Sequence, residues 1–141
     1  MYYLKAEASF DAAHFLAGYN GKCRNIHGHH WLVQVRICGE ALQTSAQECG
    51  MLVDFSTLKD ALKSVVAPLD HTLIYQTGTL RDKTLEALTE ENFSLTEVSF
   101  RPTAEHFAQY FYTRMQALGY QVAEATVYET PNNCASYSGE D

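Results

Sequence analysis

Apolar residues alternate with polar ones in two stretches near the start of the chain, which predicts two β-strands. At residues 2–10 and again at 29–38, every second side chain is apolar. Because successive side chains of a strand point to opposite faces, each stretch should bury one face only. Apolar stretches at residues 95–100 and 122–129 predict two more strands, whereas the turn-rich segment 11–26 is interpreted as a loop.

A helical period predicts two amphipathic helices. The first should begin with Ser56 as its N-cap and end before Pro68. The second should begin at Pro102 and Thr103 and end at Gly119. Residues 80–91 carry a weaker pattern, typical of a short helix. The predicted apolar stripes are Leu58, Ala61, Leu62, Val65 and Val66 in the first helix and Phe107, Ala108, Phe111, Met115 and Leu118 in the second.

The order of these elements indicates an α+β fold. Two strands, a helix, a strand, a helix and a strand allow the four strands to pair antiparallel, with the two helices packed on one face of the sheet. The length of 141 residues suits a single domain that spans residues 1–141.

Composition and charge narrow the classes of function. Hydrophobic residues make up 46% of the chain and charged residues 19%, which is typical of a globular protein. No apolar run reaches the ~20 residues that span a bilayer, so we expect no membrane partner. The net charge of −7 argues against nucleic acid as a partner. The N-terminus does not resemble a signal peptide, so we expect a cytoplasmic protein with four reduced cysteines.

Three histidines form a candidate metal site. His27 and His29 are two residues apart, so a strand would point both rings to one side. His14 follows the first strand, whose neighbour in the sheet is expected to be the second. Three imidazole ligands leave one zinc position open, which is the pattern of a catalytic zinc site. The alternative is three ordinary histidines in a polar loop. His30 should point to the other face and is not counted.

Cys23 lies four residues before His27 and is the cysteine whose neighbours suggest reactivity. Lys22 and Arg24 flank it, and nearby cations favour the thiolate. The same two cations could attract an anionic substrate. A thiolate beside a zinc ion but not bound to it can act as a base. The alternative is a structural site in which Cys23 is the fourth zinc ligand.

Charged residues further along the chain are additional candidates. Asp70 next to His71 could orient a proton-transferring imidazole, although a turn with solvated side chains explains the pair as well. Glu129 shares strand parity with apolar residues. Its carboxylate could accept two parallel hydrogen bonds from a guanidine-like fragment of a ligand, or it could end its strand in solvent. Glu105, in the first turn of the second helix, is explained by the helix dipole.

Six short segments, taken together, resemble a known family. They are Phe-Asp-Ala-Ala-His ending at His14, the segment 21–29, Gly-Met-Leu-Val-Asp-Phe ending at Phe55, Leu-Asp-His ending at His71, Pro-Thr-Ala-Glu ending at Glu105, and Glu-Thr-Pro beginning at Glu129. In this order they resemble the 6-pyruvoyl-tetrahydropterin synthase / 6-carboxytetrahydropterin synthase family. The chain departs from the usual pattern at His30, Trp31 and His106, and its segment 76–94 is longer than in compact members.

The resemblance implies a tunnelling fold (T-fold), with a four-stranded antiparallel sheet and two helices on one face. It also implies a homo-oligomer with active sites at the subunit interfaces, Zn²⁺ as the cofactor, and an aspartate–histidine pair that reaches the site from a neighbouring subunit. The expected site residues are His14, His27 and His29 as zinc ligands, Cys23, Asp70, His71 and Glu129 as catalytic residues, and Glu129, Glu105, Thr103 and Lys22 as substrate-binding residues.

The spacing of Cys23 and His27 bears on the expected reaction. With three residues between them, the segment resembles the bacterial 6-carboxytetrahydropterin synthases of queuosine biosynthesis, whereas pyruvoyl-forming synthases have a longer gap. The resemblance therefore implies a lyase that converts 7,8-dihydroneopterin triphosphate to 6-carboxy-5,6,7,8-tetrahydropterin, acetaldehyde and triphosphate. The alternatives are a 6-pyruvoyl-tetrahydropterin synthase and a non-catalytic, zinc-stabilised T-fold module that binds pterin-like ligands.

Overall fold

The computed structural model describes residues 1–140. It consists of a curved sheet of six strands and three α-helices. The order of the strands across the sheet is β4-β3-β1-β2-β5-β6. The strands are β1 (Tyr2–His14), β2 (His27–Gly39), β3 (Thr72–Gln76), β4 (Leu95–Val98), β5 (Val122–Thr130) and β6 (Asn133–Tyr137), and the helices are α1 (Phe55–Val66), α2 (Asp82–Glu90) and α3 (Ala104–Ala117).

The centre of the sheet is antiparallel, as the sequence predicted. β1 and β2 pair along their whole length, from Tyr2 opposite Gly39 to His14 opposite His27. β5 pairs antiparallel with β2, and β6 pairs antiparallel with β5. The predicted alternation is confirmed on β2, because its odd-numbered positions from Trp31 to Ile37 are buried and its even-numbered ones are more exposed.

The prediction of a four-stranded antiparallel sheet with two helices is wrong in its details. β3 pairs parallel with β1, and β4, predicted as part of the antiparallel sheet, pairs parallel with β3. Parallel neighbours need a crossover connection, and α2 lies in the connection between β3 and β4 as a third helix. β3 and β6 were not predicted, because each has only five residues and carries no strong alternation of apolar and polar positions.

The ends of several elements also differ from the predicted ones. β1 continues past residue 10 to His14, so the first part of the predicted loop is strand, with Ala12 and His14 buried. Helix α1 has Asp54, not Ser56, as its N-cap, because the Asp54 carboxylate accepts the Ser56 N–H at 2.7 Å. Leu118 is 52% exposed at the end of α3 and does not belong to the buried stripe.

Helices α1 and α3 cover one face of the sheet and enclose the core. Leu58 and Leu62 of α1 and Phe107 and Phe111 of α3 are fully buried. Phe107 packs edge-on against Trp31 of β2 at a centroid distance of 5.1 Å. The face of β1 and β2 that carries the buried residues is therefore the face covered by helices. Among the described residues, no helix is both long and apolar enough to cross a membrane.

Candidate metal centre and substrate cavity

The register of β1 and β2 brings His14, His27 and His29 together. His14 and His27 are direct partners across the two strands, and His29 is two residues further along β2 on the same face. One nitrogen of each ring lies within 4.8 Å of the corresponding nitrogen of the other two. The His14 and His29 rings both contact Trp31, so the cluster lies at the edge of the core.

Backbone carbonyls set the orientation of two of the rings. Nδ1 of His14 donates to the carbonyl oxygen of Pro102 at 2.7 Å, and Nδ1 of His27 donates to that of Asn25 at 2.6 Å. A neutral ring that donates through Nδ1 has a lone pair on Nε2. The two Nε2 atoms face each other at 3.1 Å. Two lone pairs at this distance repel each other unless a cation lies between them, so the arrangement fits a metal ion.

Burial favours the neutral form of two of the rings, those of His14 and His29. It lowers the pKa of His14 to about 4, against the effect of the Pro102 hydrogen bond and in the same direction as the nearby His27 and His29. Burial also lowers the pKa of His29, although the Glu129 carboxylate opposes this shift. Nε2 of His29 is buried and has no hydrogen-bond partner among the described residues. Neutral imidazoles with free Nε2 atoms are good ligands for zinc and similar divalent metals.

Cys23 lies in the loop that joins the two ligand-bearing strands. It is half-buried in a short 3₁₀ turn, Lys22–Arg24, whose two cationic side chains are exposed. The loop folds back on itself because the Leu16 N–H donates to the Cys23 carbonyl oxygen at 2.9 Å. Cys23 is not one of the residues whose ligand atoms converge in the described chain. This placement is compatible with a thiol near the metal, and its catalytic role stays a prediction.

A cavity of about 270 Å³ next to the histidines contains three of the predicted substrate-binding residues. Thr103, Glu105 and Glu129 line it together, with Leu16 from the loop after β1. Thr103 also has a structural role, since its hydroxyl caps α3 by accepting the His106 N–H at 3.2 Å. Lys22, the fourth predicted residue, is exposed and does not line this cavity.

The first residues of β6 form another wall of this cavity. Asn133, Cys134 and Ala135 lie there. Sequence reasoning missed them because β6 itself was not predicted. The turn signal at Pro131 and Asn132, directly after β5, could have indicated a hairpin at this point.

The Asp70–His71 pair lies beside β1, and His71 lines an open cavity with His29 and His30. Nδ1 of His71 donates to Oδ2 of Asp70 at 3.0 Å, and the Asp11 N–H donates to Oδ1 of Asp70 at 2.9 Å. The Asp11 N–H and then the His71 ring lower the pKa of Asp70. The His71 side chain is 77% exposed. The pair is thus formed and oriented, but within one chain its imidazole faces solvent.

A second aspartate–histidine contact, which sequence reasoning missed, supports this pair. Nδ1 of His30 lies 2.8 Å from Oδ1 of Asp11. The Asp11 carbonyl oxygen also accepts the His71 N–H at 2.6 Å, with His71 in the left-handed region at φ 59°. Asp11 and His30 are direct partners across β1 and β2. The register of these two strands was therefore the feature that could have indicated this contact. As predicted, His30 points away from the metal-site face.

Comparisons of sequence agree with these features. A family model described as 6-pyruvoyl tetrahydropterin synthase matches residues 3–140. The chain is 36% identical over 140 residues to the 6-carboxy-5,6,7,8-tetrahydropterin synthase of Haemophilus influenzae, which covers 97% of this chain and 99% of that relative. It is 34% identical over 128 residues to the protein of the same name from Synechocystis sp., covering 84% of this chain and 99% of the relative.

Solved structures show the same architecture. The structure of Caenorhabditis elegans 6-pyruvoyl tetrahydropterin synthase is similar with a TM-score of 0.70 and 26% identity, covering 99% of this chain and 96% of that one. An uncharacterized protein of Wolinella succinogenes has a TM-score of 0.75 at 22% identity, over 99% of this chain and 98% of that one. The second likeness bears on the fold alone. Together these neighbours support the expected T-fold.

Proposed function

The chain belongs to the 6-pyruvoyl tetrahydropterin synthase family, and we propose that it is a zinc-dependent 6-carboxy-5,6,7,8-tetrahydropterin synthase. As a tetrahydropterin synthase it is a lyase. The proposed reaction converts 7,8-dihydroneopterin triphosphate to 6-carboxytetrahydropterin, acetaldehyde and triphosphate, in the cytoplasm and on the route to queuosine. The names of the curated relatives support this product. The observation that carries the proposal is the convergence of His14, His27 and His29 beside a cavity that contains Glu129.

The cavity residues would bind and orient the pterin. A pterin carries an amino-pyrimidine edge with two neighbouring N–H donors, and a carboxylate can accept both in parallel. Glu129 supplies such a carboxylate, 29% exposed, on the wall of the cavity. Glu105 and Thr103 lie on the same wall at the start of α3, where they can contact the ring or its side chain. Lys22, exposed in the loop beside Cys23, can attract the anionic triphosphate from outside the cavity.

Proton transfer is assigned to two groups. A zinc ion held by the three imidazoles would act as a Lewis acid toward the side-chain oxygens of the substrate. The Cys23 thiolate would remove a proton from the substrate side chain. His71 would pass protons to the ring or to oxygen, with its Nδ1–H held by Asp70 at 3.0 Å so that Nε2 is free to act.

Assembly with other copies of the chain would complete the site. β3 pairs with β1 only at Ala12–His14, which leaves the preceding part of β1 as an open edge, and β6 is the edge strand on the other side of the sheet. β6 is antiparallel to β1, and rotation about a ring axis preserves this relation between neighbours. The start of β6 at Asn133 would then lie near the C-terminal end of the next β1, where Asp70 and His71 lie. We propose that each site takes its aspartate–histidine pair from the neighbouring chain.

Identification of the products by mass tests the proposed reaction. Zinc-loaded protein incubated with 7,8-dihydroneopterin triphosphate is expected to yield 6-carboxytetrahydropterin and acetaldehyde. The variant Cys23→Ala should lose turnover and keep its zinc, because the thiol acts as a base and not as a ligand. Cys49→Ala, which removes an exposed thiol elsewhere in the chain, is the matched control and should retain turnover.

Other outcomes would point to the alternatives. Formation of 6-pyruvoyltetrahydropterin would assign the chain to the sister synthase. Pterin binding without any product, by protein that holds zinc, would indicate a non-catalytic module. Loss of zinc from the Cys23→Ala variant would make Cys23 a metal ligand and would overturn the base role proposed for it.

A further inference from the structure

Glu129 is positioned to do more than hold a ligand in the cavity. Its Oε1 atom lies 3.3 Å from Nε2 of His14 and 3.5 Å from Nε2 of His29, although it belongs to a different strand, β5. We infer that Glu129 is a fourth protein ligand of the metal in the substrate-free enzyme. The open coordination position would then be closed by the chain itself until a substrate arrives.

The distances between the ligand atoms support a shared ion. Zinc binds nitrogen and carboxylate oxygen at about 2.0–2.1 Å, and two ligands of a tetrahedral ion are then ~3.3–3.4 Å apart. The two distances from Glu129 and the 3.1 Å between Nε2 of His14 and Nε2 of His27 lie close to this value. A charge-assisted hydrogen bond between a ring N–H and a carboxylate is shorter, typically about 2.7–2.9 Å. The separations therefore fit ligands around one ion better than direct hydrogen bonds.

The hydrogen bonds behind the rings lead to the same conclusion. Because Nδ1 of His14 donates to the Pro102 carbonyl oxygen, the neutral ring presents a lone pair, and not a proton, toward Glu129. Nε2 of His29 is buried, lies near this carboxylate and has no hydrogen-bond partner among the described residues. A carboxylate oxygen and the lone pairs of two imidazoles repel one another in a partly buried site, and a cation between them removes that repulsion.

One consequence rests on the proposed function. If Glu129 also binds the amino-pyrimidine edge of a pterin, the same carboxylate cannot coordinate the metal and accept hydrogen bonds from the ring at the same time. Binding of the substrate would exchange Glu129 for an oxygen atom of the substrate, with no change of oxidation state. Recognition of the pterin ring by Glu129 would thus free a coordination position of the metal for the substrate.

Metal affinity in the absence of any substrate tests the inference. The apparent Kd for Zn²⁺ is measured by competition with a chromophoric chelator, and Co²⁺ as a substitute reports the ligand set through its visible absorption. We expect Glu129→Gln and Glu129→Ala to weaken Zn²⁺ binding by at least ~10-fold and to change the Co²⁺ spectrum. Glu105→Gln is the matched control, because it removes a carboxylate from the same cavity, and it should leave both readouts unchanged.

The result that overturns the inference is a Glu129→Ala variant that is folded by circular dichroism, binds Zn²⁺ within twofold of the parent chain and has an unchanged Co²⁺ spectrum. An equal loss of affinity in Glu105→Gln would also overturn it, since the effect would then reflect the charge of the cavity and not coordination. Neither measurement uses the pterin substrate, so failure of the proposed reaction and failure of this inference are distinguishable.

Discussion

The histidine cluster and the Asp70–His71 pair contain similar side chains in opposite environments. His14 is 1% exposed, faces the helices, and is held by a backbone carbonyl, whereas the His71 side chain is 77% exposed beside β1. The cluster is completed by strands of one chain. The pair is oriented by its own chain, and its imidazole is largely exposed to solvent. The difference is that the ligand atoms of the cluster converge within one chain and fit a metal ion, whereas the exposed imidazole is the group that we propose to serve the site of a neighbouring chain.

Removal of a buried metal ligand should have the largest effect. The variant His14→Ala is expected to weaken Zn²⁺ binding by at least ~100-fold and to abolish turnover, because it removes an oriented ligand with its supporting carbonyl contact. Metal content and chelator competition measure this. His30→Ala is the matched control, since His30 is three residues after His27, the strand partner of His14, and faces the opposite side of β2. If both variants lose zinc equally, the two faces are not functionally separate.

Removal of the exposed imidazole should affect catalysis without affecting the metal. We expect His71→Ala to reduce kcat by roughly 10²–10⁴-fold, the usual contribution of general acid–base catalysis. Zinc affinity and the free energy of unfolding should change little, because the His71 side chain is largely exposed. Steady-state kinetics with metal content measured on the same samples check this. A loss of zinc in this variant would contradict the separation of the two regions.

Acid should affect the two regions in different pH ranges. The ordinary pKa of histidine is 6.5, and burial lowers that of folded His14 to about 4. Between these values the unfolded chain binds a proton that the folded chain does not, so the free energy of unfolding falls as the pH decreases. His14 alone should account for about 3 kcal/mol of this fall, and the lowered pKa of His29 acts in the same direction.

Denaturant unfolding of metal-free protein at several pH values measures this fall. The variant His14→Gln should flatten the dependence between pH 6.5 and about pH 4. The Asp70 carboxyl, with its pKa below the ordinary 3.8, binds its proton only at lower pH and stabilises the fold above it. An unchanged slope in His14→Gln would show that the buried ring does not stay neutral.

Local patterns predicted the centre of the fold well. The alternation in β1 and β2 and the stripe of α3 identified most of the buried face, because each is a long segment with a single solvent-exposed side. The same patterns identified His27 and His29 as neighbours on one face. They missed the end of β1 because Asp11, Ala12 and Ala13 have low strand propensity. The strand forms there because its partner on β2 continues to His27.

Features that depend on distant pairing could not be predicted from the sequence. β3 forms between two parallel partners, three residues of β1 on one side and the four residues of β4 on the other. No local sequence pattern indicates a parallel partner. The contact between Glu129 and two histidines depends on the position of β5 beside β2, which only the assembled sheet defines. The parity of Glu129 with apolar residues indicated its face, but the distance to the metal site came from the structure.

Mixing of two inactive variants tests the central claim most directly. His14→Ala lacks the metal centre and keeps Asp70–His71, whereas His71→Ala keeps the metal centre and lacks the imidazole. Each variant alone should be nearly inactive, and the two are assembled together, with the parent chain taken through the same procedure as control. If each site takes its metal ligands from one chain and its His71 from another, random mixing gives both intact groups to about a quarter of the sites. About a quarter of the activity of the parent chain should then return. Mixed oligomers that remain as inactive as the separate variants would contradict the account.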